Sequence, residues 1–108
     1  QWMLGDVAKD IQIGRLLTMQ AAWKLDQGDF ARSDISIAKI HAADTLHKAA
    51  DTAIQLLGAR GYSKDTIVEW IYRYARQARL VDGASEIHKM VLSRAYLSEG
   101  QDFFRWGV

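Results

Sequence analysis

The chain has 108 residues, enough for one modest domain with a single core, and apolar residues make up 49% of it, which excludes wholesale disorder. Fourteen basic against thirteen acidic residues leave a net charge of +1, so no electrostatic footprint for nucleic acid is present. Proline and cysteine are both absent, which permits long uninterrupted helices and excludes disulfides and thiolate metal sites.

The first predicted helix runs from about Trp2 to Gln27, where Val7, Ile11, Leu16 or Leu17, and Trp23 recur at near-helical spacing. Gly28 is its expected stop, because glycine tolerates the left-handed conformation past a helix end. A second helix is expected from Ser33 or Asp34, whose side chains suit an N-cap. Its apolar stripe is Ala43, Leu46, Ala50, Ala53, Ile54 and Leu57, rich in alanine and suited to close helix approach. Gly58 and Gly61 bracket a sharp turn. A third helix is expected from Asp65 or Thr66 to about Val81, with Thr66 and Glu69 as a capping box and Ile67, Ile71, Ala75 and Ala78 on one face. Asp82-Gly83 breaks the pattern. A fourth helix is expected over Ala84–Leu97, with Ile87, Met90, Val91 and Ala95 inward, ended by Gly100. The aromatic tail 101–108 is expected to dock on a partner surface or fray. Short connections favour antiparallel neighbours, so the expected architecture is all-α, an up-down four-helix bundle in one domain over residues 1–108.

No apolar run approaches the roughly 20 residues that span a bilayer. No basic stretch leads into an apolar one at the start, so the pattern is not that of a signal peptide. The chain begins at Gln1 inside a helical pattern and reads as a fragment or a trimmed chain.

Two stretches carry candidate chemistry. In Gln55-Leu56-Leu57-Gly58-Ala59-Arg60-Gly61-Tyr62, two nearby glycines after a helix read as a helix stop. The functional alternative is a backbone surface open to a cofactor phosphate or ribose, with Gln55 as a hydrogen-bonding side chain. In Asp82-Gly83-Ala84-Ser85-Glu86, the plain reading of Asp82 is an N-cap. The functional one is a carboxylate presented in a pocket as a general base. His41, His47 and His88 have no metal-ligand spacing and read as ordinary surface or satisfied histidines; no metal site is expected. Arg73, Arg76 and Arg79 read as a solvated face, with an anion or subunit contact as the sharper alternative.

Together these stretches resemble the C-terminal domain of the acyl-CoA dehydrogenases. That domain carries a glutamine and a glycine-rich turn, an Arg-Asp pair, and Glu-Gly-Thr-Ser-x-Ile before its last helix. Gln55–Tyr62, Arg73-Tyr74-Ala75-Arg76 and Asp82-Gly83-Ala84-Ser85-Glu86-Ile87 stand in the same order without gaps from Ala38 to Arg94, and Ala21–Gly28 resembles the end of the family's first long helix. The resemblance implies α,β-dehydrogenation of acyl-CoA thioesters, with hydride passing to FAD. It makes Asp82 the base and puts Val81 and Gly83 beside the substrate. Ala84 and Glu86 then lie near FAD, and Gln55, Gly58, Ala59 and Gly61 meet the FAD of a neighbouring subunit. It also implies an electron-transfer flavoprotein as redox partner, a homodimer or homotetramer, and a cytoplasmic location, or a mitochondrial or peroxisomal one in a eukaryote.

The sequence departs from the family pattern at four points. Asp82 is one methylene shorter than the usual glutamate, Ala59 replaces a glycine, Tyr74 replaces an aspartate, and Ala84 lacks a threonine hydroxyl. The family's N-terminal helical and middle β domains are not in this sequence, so the 108 residues alone are expected to bind neither FAD nor acyl-CoA tightly. Trp2, Trp70, Phe103, Phe104 and Trp106 are expected to be exposed and to drive self-association. Two alternatives remain at this point. One is a non-catalytic helical association module that keeps the fold. The other is an acyl-CoA oxidase or a flavin hydroxylase relative, the carboxylate at Asp82 speaking against the hydroxylase.

Overall fold

The computed structural model describes residues 1–105, in which helices are joined by short turns. Its long helices are α1 (Trp2–Asp26), α2 (Arg32–Leu57), α4 (Val68–Gln77) and α5 (Ser85–Glu99); α3 (Ala59–Tyr62) is a single turn, and a 3-10 turn covers Gly100–Phe104. The all-α expectation holds, and the four long helices lie where the sequence puts them. Among the described residues no helix is long and apolar enough to cross a membrane.

Helix α2 is the axis of the bundle. Lys24 pairs with Asp34 at one end of the α1–α2 seam and Asp10 with Lys48 at the other, so these two helices are antiparallel. Lys39 reaches the carbonyl of Ala78, and His47 packs on Tyr72 with ring centroids 5.2 Å apart, so α4 also runs antiparallel to α2. Helix α5 follows α4 in the same sense, joined to α2 through Ser36 and His88. The result is long, 48 × 26 × 23 Å, with a radius of gyration of 16.4 Å, against about 13 Å for a compact chain of this length.

Small residues set this geometry. Ser36, Ala43 and Ala50 recur every seven residues on α2 and are buried, as are Ala21 of α1 and Ala75 of α4. Gly14 lets α1 approach the ring of His41, whose Cδ2 would lie 3.3 Å from a Cβ there. The His41 Nε2–H donates to the Asp10 carbonyl at 2.8 Å and stitches the two helices together.

The inward face of α1 is Met3, Val7, Gly14, Leu17 and Ala21, a seven-residue repeat against α2. Val7 and Leu17 pack as expected, but Ile11, Leu16 and Trp23 lie exposed on a second apolar face. Helix α1 is apolar on two sides, and periodicity alone could not say which one meets α2. On α2 the expected stripe holds at Ala43, Ala50, Ala53 and Ile54, whereas Leu46 and Leu57 are exposed. On α4, Ile71, Ala75 and Ala78 turn inward while Ile67 is exposed. On α5, Val91 and Ala95 turn inward, but Ile87 is 54% and Met90 45% exposed. His88 and Leu92 share the inner face instead, because Ser85 rather than Ile87 is the first residue to meet α2.

The expected caps do not form. Asp34 does not cap α2; it accepts from Gln20 and Lys24 across the α1–α2 seam, and the N-cap is Ala31 at φ 48°, its N–H taken by Asp29. Thr66 and Glu69 make no capping box, since α4 starts at Val68 with Ile67 as N-cap. The interhelical partners of Asp34 outweigh the local ones. Asp34→Ala is therefore expected to cost about 2 kcal/mol, because it leaves the largely buried Lys24 ammonium without its partner. Chemical denaturation of the two proteins measures this.

Asp10 and Lys48 close the far end of the seam at 2.6 Å. The hydrogen bond from Lys48 holds the Asp10 carboxyl below its ordinary value and raises the ammonium above its own.

The described residues of the tail pack on the chain itself. Phe103 and Phe104 fold back on Tyr96, with centroids 5.9 and 5.6 Å from its ring. Trp2, Trp70 and Phe104 are exposed as expected, whereas Phe103 is half-buried. Trp106 lies outside the described residues.

Candidate functional site

The loop between α4 and α5 is where backbone geometry is most unusual. Asp82 has φ 53° and Gly83 φ 86°, two consecutive residues with left-handed backbone. Aspartate is among the few non-glycine residues that tolerate this region. Three bonds tie the loop down. Lys39 Nζ donates to the Ala78 carbonyl at 2.7 Å, the Ser85 N–H to the Arg79 carbonyl at 3.1 Å, and the His88 ring meets the Asp82 carbonyl at 3.4 Å.

Asp82 does not cap α5. The N-cap is Ala84, whose backbone carbonyl accepts from Ile87 and His88, and no side chain caps the helix. The Asp82 carboxylate has no hydrogen-bond or ion-pair partner among the described residues and is exposed. It stands at the edge of a cleft of about 250 Å³ formed by Lys39, Ala42, Ala43 and Leu46 of α2, Tyr74 and Gln77 of α4, and Ala78 and Val81. A free carboxylate on the rim of a mostly apolar cleft can accept a proton from a group seated there. Val81 shares this cleft with Asp82. Gly83 instead faces His88, and a Cβ there would meet Nε2 at 2.7 Å. Ala84 is half-buried at the helix start, and Glu86 is exposed in the first turn.

The second predicted group sits at the C-terminal end of α2, beyond the Asp82 cleft. Gln55, Gly58 and Ala59 are exposed, and Gly58 ends the helix at φ 64° with open space where a Cβ would be. Gly61 is buried, and a Cβ there would lie 2.9 Å from Leu57 Cβ and 3.0 Å from the Ile54 Cα and carbonyl. Its lack of a side chain serves the packing of α3 on α2, whereas the helix stop is Gly58. Beside this turn runs a groove of about 860 Å³ lined by Tyr62, Lys64, Arg73 and Arg76 together with Asp51 and Glu69. Arg73 and Arg76 thus share a mixed-charge groove, while half-buried Arg79 belongs to the Asp82 loop.

The structure does not bring the two groups together. Lys39 and Gln55, which border them, are separated by about 24 Å of helix at 1.5 Å per residue. Lys39, Leu46 and Tyr74 escaped the sequence reading because nothing local marks them; they reach Asp82 only through the antiparallel packing of α4 on α2. His88 was set aside as ordinary, and its one local signal is the glycine that makes room for its ring.

Comparisons with known proteins identify the family of the chain. The family pattern for the acyl-CoA dehydrogenase C-terminal domain matches residues 1–97. The chain is similar to the (R)-benzylsuccinyl-CoA dehydrogenase of Thauera aromatica, 37% identical over 93% of this chain and 25% of that protein. It is 40% identical to the cyclohex-1-ene-1-carbonyl-CoA dehydrogenase of Geobacter metallireducens over 90% of this chain and 26% of that one. A solved structure described as an acyl-CoA dehydrogenase of Mycobacterium abscessus superimposes with a TM-score of 0.85 at 34% identity, over 90% of this chain and 24% of that one. The chain thus spans about a quarter of the length of the relatives it matches. It belongs to the acyl-CoA dehydrogenase family, through that family's C-terminal helical domain.

Proposed function

We propose that this domain supplies the catalytic base of a flavin-dependent acyl-CoA dehydrogenase, and that the base is Asp82. The observation that carries the proposal is an unpaired carboxylate, held in a left-handed loop at the rim of the cleft between α2 and α4, in a chain of this family. An Asp82 oxygen takes a proton from the α-carbon of an acyl-CoA thioester. The electron pair of that C–H bond becomes the Cα–Cβ π bond as hydride leaves the β-carbon, giving a trans-2-enoyl-CoA. FAD, when bound, accepts the hydride and so supplies the oxidant. Val81 borders the substrate beside the base, while Gly83, turned toward His88, shapes the loop behind it.

The residues present fit a cofactor that is held mainly by other parts of the enzyme. Around Gly58 the backbone is open on the side a Cβ would occupy, so Gln55, Gly58 and Ala59 can meet a flavin nucleotide from a neighbouring subunit, with Gly61 fixing the turn. That the turn lies at the C-terminal end of α2, away from the Asp82 cleft at its middle, supports two different flavins. Ala84 and Glu86 border the flavin on the Asp82 side, where the exposed Glu86 carboxylate can accept from a hydroxyl. The open apolar face of α1, with Leu4, Ile11, Leu16, Met19 and Trp23 exposed, supports burial against other domains and subunits in a dimer or tetramer. An electron-transfer flavoprotein would reoxidise the flavin.

The enzyme carrying this domain is expected to copurify with FAD, and its flavin absorbance to bleach on anaerobic mixing with an acyl-CoA. A flavin that no acyl-CoA of any chain length reduces would overturn the reading in favour of an association module.

A further inference from the structure

We propose that His88 is a positioning residue for the Asp82 carboxylate, its ring coupling the buried Ser36 hydroxyl of α2 to the backbone of the loop that carries Asp82. The inference rests on Asp82 being the base.

The ring of His88 lies between two anchors. Nδ1 is 3.0 Å from Ser36 Oγ, and Nε2 is 3.4 Å from the Asp82 carbonyl oxygen. That carbonyl can only accept, so a hydrogen bond there requires the proton on Nε2. In the neutral ring Nδ1 is then the acceptor and the Ser36 hydroxyl the donor. Ser36 is buried at 3% exposure in the α2 repeat that sets the packing of the whole bundle, so the chain of bonds starts from a rigid point. Gly83 completes the arrangement. It leaves the space the ring fills, since a Cβ there would come within 2.7 Å of Nε2.

The loop needs such a brace. Asp82 at φ 53° sits in a region that L-residues avoid, and among the described residues its side chain makes no bond that would hold it there. The 3.4 Å contact is long for a hydrogen bond, so its effect is steric and directional as much as energetic. The ring lies against Gly83 and the Asp82 carbonyl and so limits how far that peptide can turn toward it. A general base must lie within hydrogen-bond reach of its proton, and an aspartate has one methylene less with which to correct an error.

The test uses the flavoprotein that carries this domain. His88→Leu fills the space without either bond; it is expected to lower kcat about 10- to 100-fold with KM near wild type, the scale of a misplacement of about 1 Å. His88→Gln, which can accept from Ser36 and donate to the loop, is expected to recover most of that loss. The double variant with Asp82→Asn is expected to be no slower than Asp82→Asn alone, since His88 acts through Asp82. Nitrogen NMR of ¹⁵N-histidine-labelled wild-type protein is expected to show His88 with its proton on Nε2. Normal turnover in His88→Leu beside a crippled Asp82→Asn would overturn this inference and leave the base intact. Equal losses in the Leu and Gln variants, or a ring averaging between tautomers, would also overturn it. If Asp82→Asn turns over normally, the base reading falls, and this inference falls with it.

Discussion

Asp82→Asn is expected to lower turnover of the complete enzyme by about 10²- to 10⁴-fold, the usual contribution of a positioned general base. The substitution is a clean one for a reason visible in the backbone. Asparagine tolerates a positive φ at least as well as aspartate, so the loop at φ 53° keeps its shape. The amide has nearly the volume of the carboxylate and breaks no bond, because the carboxylate has no partner among the described residues. What is lost is the capacity to accept a proton. Acyl-CoA affinity and flavin content are expected to stay near wild type. Asp82→Glu restores the arm length the family resemblance leads one to expect and keeps a base. It is expected to retain turnover at a stability cost of about 1 kcal/mol from the left-handed backbone. Steady-state kinetics of the three proteins, with thermal unfolding as control, separates chemistry from folding.

The second large effect is expected at Gly61. Gly61→Ala places a methyl carbon within about 3 Å of the Ile54 backbone and of Leu57 Cβ, and none of these atoms is the free end of a flexible side chain. The turn must move off α2, at an expected cost of about 3 kcal/mol, read as a fall in the denaturation midpoint. Gly58→Ala is the informative contrast. It meets no steric obstacle but must hold φ 64°, so it is expected to cost about 1 kcal/mol. Two glycines in one motif thus serve different ends, and only the structure separates them.

The helices were legible because proline is absent and glycine falls at their ends; Gly28, Gly58 and Gly100 all sit just past a helix at positive φ. The faces were less legible. Helix α1 carries two apolar stripes, and the one with larger side chains is the one left open. A core built from Ala21, Ala43, Ala50 and Ala75 gives a weak hydrophobic signal, and large exposed residues such as Leu16 and Trp23 give a strong one. The caps failed for a different reason. Asp34 has better partners on α1 than in its own first turn, and Asp82 lies two residues before the Ala84 N-cap in left-handed backbone. Asp82 as a candidate base is marked in the sequence only by its register with Gln55–Tyr62 and Arg73, since locally it reads as a cap. Its surroundings, Lys39, Leu46, Tyr74 and His88, come from three helices and were not legible.

Proton removal by Asp82 is tested most directly by following the α-hydrogen itself. An acyl-CoA labelled with deuterium at the α-carbon, and substituted at the β-carbon so that no hydride can leave, is incubated with the complete enzyme. The wild type is expected to release the label to solvent, and Asp82→Asn to release it at least about 10²-fold more slowly. Release at the wild-type rate from Asp82→Asn would contradict the assignment of the base.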